Sequence, residues 1–138
     1  MKRIHVVVGI LLLGFAGAGL LRGAKDKPAA APHAMYEYDP AAQTTITGTI
    51  EKVDEYRCPV TGTVGSHITV KAATGLVEVH LAPATYLKYL DFTFRPGEEV
   101  KVTGARILMD GKPALMALSV VVGRETLTFR DNKGKPLW

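Results

Sequence analysis

A single cysteine, Cys58, and a single tryptophan, Trp138, occur among the 138 residues of the chain. One thiol excludes an intramolecular disulfide framework, and with it every Cys-x-x-Cys arrangement for redox exchange or haem attachment. No cysteine follows the N-terminal apolar run, which excludes attachment of a lipid there. No glycine loop of the phosphate-cradling kind is present, and the glycines stand at turns or strand kinks, their ordinary structural use. A nucleophile with its base and acid is also missing. Ser66 adjoins His67, but neighbouring strand residues point to opposite faces, and Ser119 has no partner, so the chain is not expected to be an enzyme. Charge of one sign is lacking where it would matter. The formal charge of +4 arises from Lys2, Arg3, Arg22, Lys25 and Lys27 against Asp26, whereas from Met35 onward 12 Lys and Arg balance 12 Asp and Glu. A neutral body has no basic stripe for a phosphate backbone, which excludes nucleic acid as the expected partner.

What is present begins with a leader. Lys2 and Arg3 precede an apolar run over residues 6–21, and small residues follow; these are the three parts of a secretory signal. Ala16-Gly17-Ala18 fits the small-x-small cleavage pattern. The competing reading is a retained anchor. Sixteen helical residues reach roughly 24 Å, against a hydrocarbon core of roughly 30 Å, and adding Ile4 and His5 nearly closes the gap. Residues 1–24 are therefore a signal peptide or a membrane anchor, and either places the chain in the periplasm or on the extracytoplasmic face of the cell membrane. Residues 25–43 open on an Ala-, Pro- and Lys-rich stretch without periodicity and are expected to form a flexible tether.

Residues 44–138 hold enough apolar sequence for one compact domain, 47% of the chain being hydrophobic. Period-two alternation and β-branched residues predict strands at 44–53, 67–72, 77–81, 99–104, 114–122 and 126–130. The loop from Cys58 to Thr63 is punctuated by Pro59 and Gly62, and Thr74-Gly75, Asp110-Gly111 and Gly123-Arg124 are hairpin turns. With Thr74-Gly75 as the turn, Ile68 faces Leu81, Val70 faces Val79 and Ala72 faces Val77, which gathers the apolar residues on one face. The other face then carries His80 opposite Thr69, and His67 diagonal to His80. After Pro83 the period changes to that of about two helical turns. An all-β chain with one short helix in the order β-β-β-α-β-β predicts a small five- to six-stranded OB-fold-like barrel, with an open sandwich or roll as the alternative.

Three blocks carry a resemblance: Val77-Glu78-Val79-His80-Leu81-Ala82-Pro83-Ala84-Thr85-Tyr86-Leu87, Gly97-Glu98-Glu99-Val100-Lys101-Val102-Thr103-Gly104, and the ending from Leu127 to Trp138. Together they are similar to the MamS/MamX-type domain of magnetosome-associated proteins, over roughly residues 44–138. The resemblance implies an exported OB-like domain, membrane-attached or periplasmic, connected with iron biomineralisation. Larger members of that family carry Cys-x-x-Cys-His haem motifs, and this chain has none.

One cluster bears on chemistry. His67 and His80 share the polar face of the hairpin, and the loop holding Cys58 leads into that strand. Two imidazoles and a thiolate suit copper or zinc, with Glu78 as an acceptor orienting His80. Set against this are the ordinary readings of solvated surface histidines and a packed thiol. Tyr36, Tyr38, Tyr56, Tyr86 and Tyr89 are expected to close the barrel ends with their hydroxyls wet. The leading expectation is a non-enzymatic envelope module that binds a protein partner or small ligand and carries no cofactor. The alternative is a periplasmic metal-handling protein for copper, zinc or iron that uses His67, His80 and Cys58.

Overall fold

In a computed structural model of the chain, residues 36–138 are described. The leader and most of the tether lie outside the described residues. Among the described residues no helix is long and apolar enough to cross a membrane.

Six strands and one helix follow in the order β1 (Gln43–Arg57), β2 (Val64–Ala72), β3 (Gly75–Pro83), α1 (Ala84–Tyr89), β4 (Glu99–Met109), β5 (Lys112–Val122) and β6 (Glu125–Thr128). The sheet order is β3-β2-β1-β4-β5-β6, and a parallel pairing of β3 with β5 closes it into a barrel. This is the OB-type arrangement expected from the element order, and closure removes the free edges that short strands would otherwise expose.

The 15-residue β1 serves two partners. Its first part pairs with β4, from Gln43 opposite Ala105 to Thr49 opposite Glu99, and its second part pairs with β2 as far as Arg57 opposite Val64. A bulge between Ile50 and Lys52 bends the strand from one partnership to the other. Gly48 lies at the crossing because nothing larger fits: a Cβ there would stand 2.2 Å from the Lys71 carbonyl oxygen. The β4–β5 turn is set by Asp110 and Gly111, with φ of 50° and 74°, the two successive positive values that a type I′ hairpin demands.

Ile50, Ile68, Val70, Val79, Leu81, Val102, Val120 and Phe129 fill the barrel, all at most 1% exposed. Leu87 of α1 and Phe94 extend this core below the strands. Each such side chain contributes roughly 1.5–3 kcal/mol by leaving water.

The β2–β3 hairpin differs from the expected register. Its turn is Ala73-Thr74, so Ile68 lies opposite Val79, Val70 opposite Val77 and Ala72 opposite Gly75. The displacement is by two residues, which keeps every side chain on its expected face but changes its neighbour. The same displacement sets His67 directly opposite His80 instead of diagonal to it, and a bulge just beyond, between Ser66 and His67, shifts Ser66 to pair with Ala82. The residues after β6 form no further strand but are tied down. Arg130 bridges to Pro136, and Leu137 N–H donates to the Phe129 carbonyl at 3.0 Å.

Candidate metal centre

Along β3, Val77, Val79 and Leu81 face the barrel core, so Glu78 and His80 emerge on its outer face; His67 does the same on β2 between Ile68 and the bulge. On an open sheet these residues would be wet. Here the 58–63 loop folds over them, and His67, His80 and Cys58 are 2%, 1% and 0% exposed. The reading of His67 and His80 as solvated surface residues is therefore corrected, and Cys58 faces this covered site and not the barrel interior.

The loop is fixed by its own hydrogen bonds. Cys58 N–H donates to the Thr63 carbonyl and Gly62 N–H to the Cys58 carbonyl, both at 2.8 Å. The Thr61 hydroxyl reaches the Thr63 carbonyl at 3.2 Å. Gly65 makes room beneath it, since a Cβ there would meet Cys58 Cβ at 3.0 Å and His67 Cε1 at 3.2 Å.

Within this enclosure one ligand atom each from Cys58, His67 and His80 lie within 4.8 Å of one another. Cys58 Sγ is 3.3 Å from His80 Nδ1, and the two imidazoles meet edge to face with centroids 4.6 Å apart. His80 Nε2 and both ring nitrogens of His67 are buried without a hydrogen-bond partner. The Asp54 backbone approaches His67 closely enough to favour its charged form slightly, yet forms no bond of ordinary geometry. Burial, reinforced by the neighbouring His80, lowers the His67 pKa to about 4. Burial lowers that of His80 as well and raises that of the Cys58 thiol. At neutral pH the cluster is thus two uncharged imidazoles and a protonated thiol.

Tyrosines expected at the barrel ends help to complete the walls. Tyr56 of β1 lies flat on His67, rings 3.8 Å apart and 9° from parallel, and its hydroxyl donates to Glu78. It roofs the site instead of closing a barrel end. Glu78 accepts this bond, so the role of orienting His80 expected for it is not what the structure shows. Tyr36 and Tyr38, ahead of β1, are half-buried against the cluster formed by Cys58, Val60 and Met116.

A family model, the MamS/MamX magnetosome protein family, matches residues 42–127. The chain belongs to this family. A curated relative, magnetosome protein MamS of Magnetospirillum gryphiswaldense, is 32% identical over 119 residues; the match covers 83% of this chain and 64% of the relative's length. The matched MamS/MamX span contains Cys58, His67, His80 and the strands that carry them. Among solved structures, the S. pombe Stn1-Ten1 complex is similar with a TM-score of 0.48 and 18% identity, covering 64% of this chain and 71% of that one. Rim1, a mitochondrial single-stranded DNA binding protein of S. cerevisiae, has a TM-score of 0.46 and 12% identity, covering 63% and 97%.

Proposed function

We propose that this MamS/MamX family member is an exported, non-enzymatic metal-handling module whose centre is Cys58, His67 and His80. The observation that carries the reading is the convergence of three buried donors within 4.8 Å while three of the four imidazole nitrogens have no other partner. A buried polar atom left unmatched costs about 1–3 kcal/mol, so a protein seldom gathers three of them without a ligand to satisfy them. A thiolate with two imidazoles suits copper and zinc; magnesium, calcium and ferric iron prefer the oxygen donors this cluster lacks.

The chain's own groups set how an ion enters. Uncharged His67 and His80 offer lone pairs without first losing protons. The Cys58 thiol, held protonated by burial, must give its proton to solvent as its sulfur binds, so uptake is favoured by rising pH. A centre enclosed by the loop and by Tyr56 favours holding an ion over opening one face of it to a substrate, which supports binding over catalysis. Export rests on the charged, apolar and small-residue sections of residues 1–24.

Titration of the full-length chain with Cu(I) under anaerobic conditions and with Zn(II), each against a competing chelator, tests this. The expected result is one ion per chain, one proton released, and at least a hundredfold loss of affinity in Cys58→Ala and in His67→Ala/His80→Ala. No binding, or binding indifferent to Cys58→Ala, overturns it.

The reading of a module that captures a protein or small ligand keeps one observation in its favour. A groove of 670 Å³ lined by Tyr36, Tyr38, Thr61, Arg130 and Trp138 opens beside the loop. A ligand held there would be insensitive to Cys58→Ala.

A further inference from the structure

The parallel seam between β3 and β5 that closes the barrel sets a methionine beside His80. Met116 of β5 pairs with His80 of β3, and directly paired residues of adjacent strands project their side chains to the same side of the sheet. The sequence neighbours of Met116 confirm the direction. Leu115 and Ala117 belong to the barrel core, whereas Met116 belongs to the separate buried cluster that contains Cys58 and Val60. Its side chain is 0% exposed, so the thioether is shut in on the same outer face as the thiol and the imidazoles.

We infer that Met116 supplies a fourth, thioether ligand, so that the centre is a Cys-His-His-Met site selective for copper over zinc. This rests on the metal-handling reading above and narrows it to one ion. The chemistry follows from donor softness. A neutral thioether is a poor ligand for zinc, which takes thiolate, imidazole or carboxylate, but it is well matched to copper, above all in its monovalent state. Two imidazoles and a thiolate with a more weakly held methionine is a donor set that copper accepts and whose properties the methionine tunes. The remaining walls are built for an ion of this kind. Val60 and Tyr36 are apolar or aromatic neighbours of the cluster, and Tyr56 covers His67. Such surroundings exclude water, and the Glu78 carboxylate on the same face is taken up by the Tyr56 hydroxyl.

Met116→Leu tests the inference because it replaces the thioether by a hydrocarbon of similar volume, an exchange that buried sites tolerate. Cu(I) and Zn(II) affinities of the full-length chain and of this variant are compared by chelator competition. Sulfur scatterers around bound Cu(I) are counted by X-ray absorption. The expected result is two sulfur scatterers in the parent and one in the variant. Cu(I) affinity should fall about tenfold or more in the variant while Zn(II) affinity stays within about twofold, as the differing softness of the ions requires. The unchanged Zn(II) affinity also reports that the variant has folded with Cys58, His67 and His80 in place. Equal Cu(I) affinity with one sulfur in both proteins overturns the role of Met116 and leaves the three-residue centre standing. Parallel loss of both ions would likewise overturn it, as the mark of a packing role alone. A parent that binds neither ion overturns the metal-handling reading itself.

Discussion

At the scale of single residues, two opposed titrations frame the apo protein. The folded pKa of His67 lies at about 4, below the 6.5 of an exposed imidazole, so its contribution to stability is present above pH 6.5 and is lost as pH falls toward 4. The Cys58 thiol is shifted the other way, above its ordinary 9.0; its contribution is present below pH 9.0 and is lost as pH rises through the folded value. The expected outcome in urea titrations of the metal-free chain is a stability plateau between about pH 6.5 and 9. Cys58→Ala should extend the alkaline side, and a profile without an acidic decline would contradict the burial of His67. The histidines and the thiol were legible in sequence as a possible set because they fall on one hairpin and its leading loop. Tyr56 was not, since a tyrosine near a strand end carries no sign of which ring it will cover. Met116 was hidden for a different reason: it is 36 residues from His80 in sequence, and only the closing seam sets the two side by side.

At the scale of elements, the hairpin shows what alternation can and cannot specify. Apolar residues at every second position of β2 and β3 fix which face each side chain takes, but pairings displaced by two satisfy the same rule. Thr74-Gly75 carries the stronger turn signal, yet the strands turn at Ala73-Thr74 and Gly75 opens β3. The choice places His67 against His80, and with the expected register the centre would have been looser. The order of strands and helix was legible because each has its own period and its own turn residues; the β1 bulge that shares one strand between two partners was not. Two glycines separate fold from site. Gly48→Ala would force a Cβ to within 2.2 Å of the Lys71 carbonyl, and an expected loss of about 2–3 kcal/mol, of the size of overpacking, should appear as a lower denaturation midpoint. Gly65→Ala meets Cys58 and His67 at 3.0–3.2 Å, a milder encroachment aimed at the centre. It is expected to weaken metal affinity more than global stability, and the reverse order would argue that the loop is held independently of the site.

At the scale of the whole molecule, barrel and centre share the strands that close the fold. Removing the largest core side chain with Phe129→Ala, at a residue 0% exposed, should cost about 3–5 kcal/mol. Binding an ion should act in the opposite direction, because it ties the loop to β2 and β3. At free ion a thousandfold above Kd the gain is about 4 kcal/mol, an increase in Tm on the order of 15 °C for a domain of this size. Calorimetry with and without Cu(I) measures it, and Cys58→Ala should show almost none of the increase. Residues 35–138 carry no net formal charge, so any long-range attraction of a charged partner would have to come from local patches and not from the overall charge.

The hydrogen bonds within the 58–63 loop also make Cys58 a clock. Its sulfur is the only thiol in the chain and has no exposed surface, so an alkylating reagent can reach it only in moments when the loop swings clear. The rate of alkylation, measured across reagent concentrations, therefore counts local opening events and yields their free energy separately from that of global unfolding. An ion taken up at Cys58 would pass through the same openings, so the opening rate, read where labelling no longer rises with reagent concentration, would cap how fast the empty protein could be loaded.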